Sequence, residues 1–117
     1  MTTGTLEQRL RLGSGFGPID RRALQDLLGG LEARLRGIEP EQIDLVVAVK
    51  GRHTREQRVT LECRTPRWGL LVATSDDPDL RTALGEVRDG MARQLEQARS
   101  RQLERRHPNP LPGTEFL

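Results

Sequence analysis

Three groups of residues have the types that could do chemistry: a glycine cluster, two histidines with one cysteine, and an array of arginines. "GSGFGP" at 13–18 lies between a strand pattern and a helix pattern, where a dinucleotide fingerprint would sit. Gly13 and Gly15 match the first two positions of G-x-G-x-x-G, but the third falls on Pro18, so a tight turn is the better reading. His53 and His107 are far apart in sequence, and Cys63 has inward parity on a strand, so neither a metal set nor an activated nucleophile is assembled. His53 reads as a turn residue and His107 as the start of a chain exit, "HPNP". The carboxylates Asp76, Asp77 and Asp79 cap a helix, and the others lie on a solvated helix back where no apolar pocket would raise a pKa for acid–base work. The expectation is a protein without enzymatic activity, cofactor or metal.

The arginines remain. Lys50 is the one lysine among 19 basic residues. The planar guanidinium fork matches phosphate and stacks on bases, although a GC-rich genome gives the same bias. In the long helix pattern near the C-terminus, Leu80, Leu84, Val87, Met91, Leu95 and Ala98 form an apolar stripe, with Glu86, Asp89, Glu96 and Glu104 on or near the opposite side. Arg81, Arg88, Arg99 and Arg106 fall within about 20° of one another along one flank of that stripe. Lys50, Arg52, Arg55, Arg58, Arg64 and Arg67 cluster around the strand turns and the exposed side of a hairpin. On periodicity alone, a solvated margin and a footprint for a polyanion are both open.

The elements that must position these residues follow from length and patterning. A chain of 117 residues with 34% hydrophobic and 3% aromatic content makes one small domain with an aliphatic core. A net charge of +2 does not by itself announce a nucleic-acid binder. One cysteine, no signal-peptide pattern and no apolar run near the roughly 18 residues of a membrane span imply a soluble, cytoplasmic protein.

"TLEQRLRL" (5–12) alternates as a half-buried strand, and Asp20 is placed to cap a first helix that carries Leu24, Leu27, Leu28, Leu31 and Leu35 and runs to Arg36. Gly29 and Gly30 inside it each cost about 1 kcal/mol relative to Ala, which implies close backbone packing on the sheet there. Ile43–Lys50 and Arg58–Arg64 alternate as a hairpin around "GRHTREQ", "LLVAT" (70–74) is a fourth strand, and "SDDPD" (75–79) opens the second helix with an acidic first turn. The fold class is α+β, in the order β-α-β-β-β-α: a four-stranded mixed sheet, its first two strands parallel and the rest a meander, with both helices packed on one face. Trp68, beside Gly69, closes one end of the core or stacks on a base. Residues 107–117 are a Pro-rich extended tail whose tip, Phe116 and Leu117, is available to dock on this domain or on a partner.

"TPRWGLLVATSDDPDLRTALGEVRDGMARQLEQARSR" (65–101) resembles the ribosome hibernation factors, the family of the hibernation-promoting factor and of the ribosome-associated inhibitor, protein Y or sigma-54 modulation protein. Ala83, Leu84, Met91, Gln94 and Leu95 fall on its helix pattern without a gap, and "ALQDLLGGLEARLRGIEPEQIDLVVAVKGR" (23–52) looks like its first helix and second strand. The resemblance covers about 100 of the 117 residues. It implies that 1–106 is an RNA-binding domain of this kind, a monomer off the ribosome, that grips 16S rRNA in the mRNA channel of the 30S subunit. Such a factor blocks tRNA and mRNA by occupancy, in translation regulation under stress. By position it assigns rRNA contacts to Arg93, Arg99 and Arg101, with Arg81 in place of a usual aromatic residue. Gly85 stands where the family has an acidic or amide residue, Gly90 replaces a lysine, and the second domain through which long members pair ribosomes is not expected. The alternative is a protein-interaction module that keeps the fold and has lost ribosome binding. A continuous positive patch across both helices favours the first, and one broken by Glu86, Asp89 and Glu96 the second.

Overall fold

The computed structural model describes residues 4–106, with side chains through Gln102; the tail from His107 onward, including Phe116 and Leu117, and the side chain of Arg106 lie outside the described residues. The elements are α1 (Thr5–Arg9), β1 (Leu10–Leu12), α2 (Arg21–Leu27), β2 (Asp44–Lys50), β3 (Arg58–Thr65), β4 (Gly69–Ser75) and α3 (Leu80–Arg106). Short 3-10 segments stand at Pro18–Asp20, Gly29–Leu35 and Pro40–Gln42. The sheet order is β1-β2-β3-β4, with β1 parallel to β2 and the other pairs antiparallel. This is the mixed sheet that alternation and turn lengths imply.

One face of the sheet is dry. Leu45, Val47, Val49, Val59, Leu61 and Cys63 point into it and are 3% exposed or less, and the helical side supplies Leu24, Leu28, Leu31, Leu35, Val87, Met91 and Leu95. The opposite face carries Val46, Glu62 and Val72 in one cross-strand row and Asp44, Arg64 and Leu70 in the next. Burial pushes the Cys63 thiol up to about 11, aided by the charge of Asp44, so it stays protonated and unreactive at neutral pH.

Three expectations are corrected. Only Leu10–Leu12 of "TLEQRLRL" is strand; residues 5–9 form a helical turn. Leu6 and Leu10 are both buried and stand four apart, which suits a helix as well as a strand, and the Glu32 carboxylate decides it by accepting the orphan N–H groups of Thr5 (2.7 Å) and Leu6 (3.1 Å). The first helix is not continuous. It breaks after Leu27 and resumes as 3-10, and the glycines at the break are exposed: nothing lies within 4 Å of a Cβ placed on Gly29, and only Cδ of Arg88, at 3.5 Å, near one on Gly30. The glycine pair therefore breaks the helix instead of packing on the sheet. Finally, the first turn of α3 contains no acid; Asp79 lies just before it and accepts from the Thr82 N–H (2.9 Å) and hydroxyl (2.6 Å).

The turn after β1 continues the sheet by backbone alone: Gly13 N–H donates to the Val47 carbonyl (2.7 Å), and Val49 N–H to the Ser14 carbonyl (2.8 Å). Gly15 has φ +87°, and a Cβ there would lie far inside contact distance of the Val49 carbonyl oxygen. The glycine motif is thus a strand-hugging turn. Gly15→Ala is expected to destabilise by more than about 1 kcal/mol, whereas Gly17→Ala, with nothing within 4 Å of its added carbon, stays within about 0.5 kcal/mol of the parent; urea unfolding of the two variants checks this.

Candidate nucleic-acid interface

The cationic side chains divide by what the fold asks of each. Arg52 is held most tightly. Its guanidinium meets Asp20 in a fork, Nη1 to Oδ2 at 3.0 Å and Nη2 to Oδ1 at 3.1 Å, donates to the Gly15 carbonyl (3.0 Å), and sits 5.2 Å from the centre of the Phe16 ring. Asp20 also accepts from the Gly17 N–H (2.8 Å) and makes no side-chain cap to α2. Arg52 clamps the turn before α2 onto the end of β2.

Gln57 fixes the neighbouring hairpin turn. It is 1% exposed; its amide oxygen accepts from the His53 N–H (2.9 Å), and its amide nitrogen donates to the carbonyls of Asp77 (3.0 Å) and Pro78 (3.1 Å). The turn thereby holds against the start of α3. This brings Lys50, Arg55 and Arg58 to the same end of the molecule as Arg81, all four exposed. Lys50 and Arg58 stand directly opposite each other in the β2–β3 register, a like-charge pair that a counter-anion would relieve, with Asp76 3.6 Å from Arg58. His53 takes φ +69° in this turn and is exposed.

Along the arginine flank the structure adds a role that periodicity does not reveal. Arg88 Nη1 donates to the carbonyl of Leu27 (3.2 Å), the last residue of α2, and its Nε contacts Asp89 (3.0 Å). Arg99 Nη2 donates to the carbonyls of Arg34 (3.2 Å) and Arg36 (2.9 Å), where the 3-10 segment ends. Two of the flank arginines therefore clasp the broken first helix to α3. Hydrogen bonds to carbonyls leave the positive charge in place, so Arg34, Arg36, Arg88 and Arg99 still form a basic seam, interrupted by the Arg34–Glu96 pair at 3.2 Å. Arg34 and Arg36 escape a reading confined to the second helix; their signal is their place at the carbonyl end of the first.

The other candidates lie elsewhere. Arg64 is exposed on the open sheet face, Arg67 in the β3–β4 turn, and Arg101 on α3. Arg93 lines a groove between α3 and the edge of β4, away from the seam, as its helical angle implies. The eleven cationic residues assigned to rRNA whose side chains are described thus do not all lie on one patch. Trp68 packs partly buried against the core and donates from Nε1 to Gln102 at 3.4 Å. Among the described residues no group of His, Cys, Asp and Glu could hold a metal ion, and no helix is long and apolar enough to cross a membrane.

Two variants separate clasp from margin. Arg88→Gln and Arg99→Gln are each expected to destabilise by about 1 kcal/mol because the bonds that clasp the first helix to α3 are lost, whereas Arg81→Gln is neutral within about 0.5 kcal/mol, measured by urea unfolding. The Arg52 fork and the Gly17 N–H hold the Asp20 carboxyl below its ordinary value of 3.8. Its stabilising contribution is present above that value and is lost as pH falls through the depressed one. Thermal melts of the parent and Asp20→Asn should therefore differ at neutral pH and converge in strong acid.

No protein-family model and no curated protein matches the sequence. Ten solved chains match, among them the following two. The N-terminal domain of Thermus thermophilus Protein Y superposes with a TM-score of 0.53 at 21% identity, covering 76% of this chain and 93% of that one. A ribosomal subunit interface protein from Coxiella burnetii gives a TM-score of 0.54 at 11% identity, covering 79% and 98%. The chain therefore has the fold of the protein Y N-terminal domain, the fold that its sequence resemblance implies.

Proposed function

We propose that this protein is a ribosome-associated translation inhibitor that binds 16S rRNA in the mRNA channel of the 30S subunit and blocks tRNA and mRNA by occupancy. The observation that carries this reading is the shared fold with two proteins described as protein Y and as a subunit interface protein. The distribution of cations supports it. Lys50, Arg55, Arg58 and Arg81 form an exposed basic tip on a turn held by Gln57, and a rigid tip meets phosphates without first losing side-chain and loop freedom. The seam adds Arg34, Arg36 and Arg99, and the Arg99 guanidinium is already ordered by the backbone carbonyls of the other two. Steric occupancy consumes no cofactor and requires no catalytic group, and the buried, protonated Cys63 offers none.

The second reading, an interaction module of the same fold that has lost ribosome binding, draws on a specific observation. The ion pairs Arg34–Glu96 and Arg88–Asp89 partly neutralise the seam. Ribosome co-sedimentation separates the two.

For the first reading, log K for 30S falls steeply with log salt, and replacing Lys50, Arg55 and Arg81 with Gln lowers the slope by roughly one for each phosphate no longer neutralised. In cell-free translation the protein inhibits initiation and leaves preassembled elongating ribosomes nearly untouched. Equal inhibition of both, or no 30S binding at low salt, would overturn channel occupancy.

A further inference from the structure

Among the described residues one non-glycine has a positive φ, His53 at +69°. A side chain in this region of φ is uncommon and persists where the surroundings over-determine it. The turn at 51–57 does so. The buried Gln57 amide oxygen accepts from the His53 N–H (2.9 Å), the Thr54 N–H and hydroxyl both donate to the Gly51 carbonyl (2.9 and 2.6 Å), and the Gln57 N–H donates to the Thr54 carbonyl (3.2 Å). Gly51 also has a positive φ, +61°, and there crowding demands glycine: an added Cβ would stand 2.9 Å from the Thr54 hydroxyl oxygen and 3.1 Å from the Glu56 carbonyl oxygen. At position 53 the same kind of backbone carries a ring.

That ring has no task in the fold. It is exposed, and among the described residues it makes no hydrogen bond, ion pair or ring contact; the bond to Gln57 belongs to the backbone. The other aromatic rings are occupied. Phe16 is half-buried with the Arg52 guanidinium 5.2 Å from its centre, and Trp68 is half-buried against the core with its N–H at Gln102. His53 is therefore the one exposed ring among the described residues. It stands among cations: Arg55 shares its turn, Lys50 and Arg58 end the strands on either side, and Gln57 ties the turn to the start of α3, where Arg81 lies. Of the nearby acids, Asp76 is 3.6 Å from Arg58, Asp77 and Asp79 accept bonds within the approach to α3, and Glu56 lies in the turn itself. A free ring set between cations suits a single-stranded nucleic acid, whose phosphates meet the charges while a base meets the ring face. A duplex offers the same phosphates and no free base face.

We propose that His53 is a base-stacking residue of the basic tip and that its ligand is an unpaired nucleobase of RNA. The inference rests on the ribosome reading above and goes past it, because it makes the tip discriminate single-stranded from duplex RNA. Gln57 fixes the backbone from which the ring departs before any RNA arrives, so stacking forfeits little conformational freedom. The strained φ is the cost of carrying a ring at this point of the turn.

The full-length parent and the variants His53→Asn, His53→Gly and His53→Phe are titrated at low salt with single-stranded oligoadenylate of about twelve nucleotides, with an RNA duplex of the same length and with 30S subunits. Asn and Gly accept a positive φ, so those two variants should unfold at a urea concentration no lower than the parent. They should nonetheless bind oligoadenylate and 30S roughly tenfold more weakly, bind the duplex as the parent does, and keep its salt slope, because no phosphate contact is lost. His53→Phe keeps a ring face without the nitrogens and should bind oligoadenylate within about twofold of the parent. If it does not fold by circular dichroism, the comparison of single strand with duplex decides. Stacking is overturned by a His53→Asn variant as tight as the parent on oligoadenylate, by an equal loss on the duplex, by a salt slope lower by about one, or by a folded His53→Phe as weak as His53→Asn. A loss on 30S alone assigns the ring to a ribosomal protein and overturns it too. A parent that binds oligoadenylate through His53 but does not bind 30S would overturn the ribosome reading and leave stacking standing.

Discussion

The break in the first helix is the constraint on which much of this architecture depends. A helix that stops after Leu27 and resumes as a 3-10 segment ending at Leu35 has two carbonyl ends where a continuous helix has one. Both ends face α3, and both are answered by an arginine, Arg88 at Leu27 and Arg99 at Arg34 and Arg36. The spacing of those arginines along α3 is therefore set first by the positions of the carbonyls. Any nucleic-acid phosphate they also meet is met by groups whose orientation the fold has already fixed.

The clasp explains why one flank can be read in two ways. A guanidinium has five donors, and Arg99 places both of its carbonyl bonds on a single nitrogen. A lysine could supply the charge but not both the clasp and a second oriented donor face. The preference for arginine over lysine in this chain is in part a structural requirement at these positions.

Strand order, register parity and the two-layer arrangement were legible because they rest on period-two alternation and on strong punctuation by Gly and Pro, as in Ile43–Lys50 and the turns around it. The misread segments are those where one pattern fits two structures. Leu6 and Leu10 satisfy both periods, and only the remote Glu32 carboxylate selects the helical turn. Gly29 and Gly30 signal either intimate packing or a break, and the choice depends on the empty space around them, which no local pattern encodes. At the site, the angular clustering of Arg81, Arg88 and Arg99 was visible, but their different partners were not, because those carbonyls lie more than sixty residues away in sequence for Arg88 and Arg99. Arg52 likewise reads as a free turn cation until Asp20 is placed beside it.

Gln57 bears on how the two ends of the β3–β4 unit hold together. Its amide reaches the carbonyls of Asp77 and Pro78, which follow β4, so in the native fold the bond and the alignment of β4 on β3 support each other. Without these carbonyls the amide is a polar group in a dry place, and leaving its N–H groups unanswered there is costly. The bond joins the beginning of the long helix to a turn twenty residues earlier. The basic tip and the helix start are thereby coupled, and a change that loosens one loosens the other.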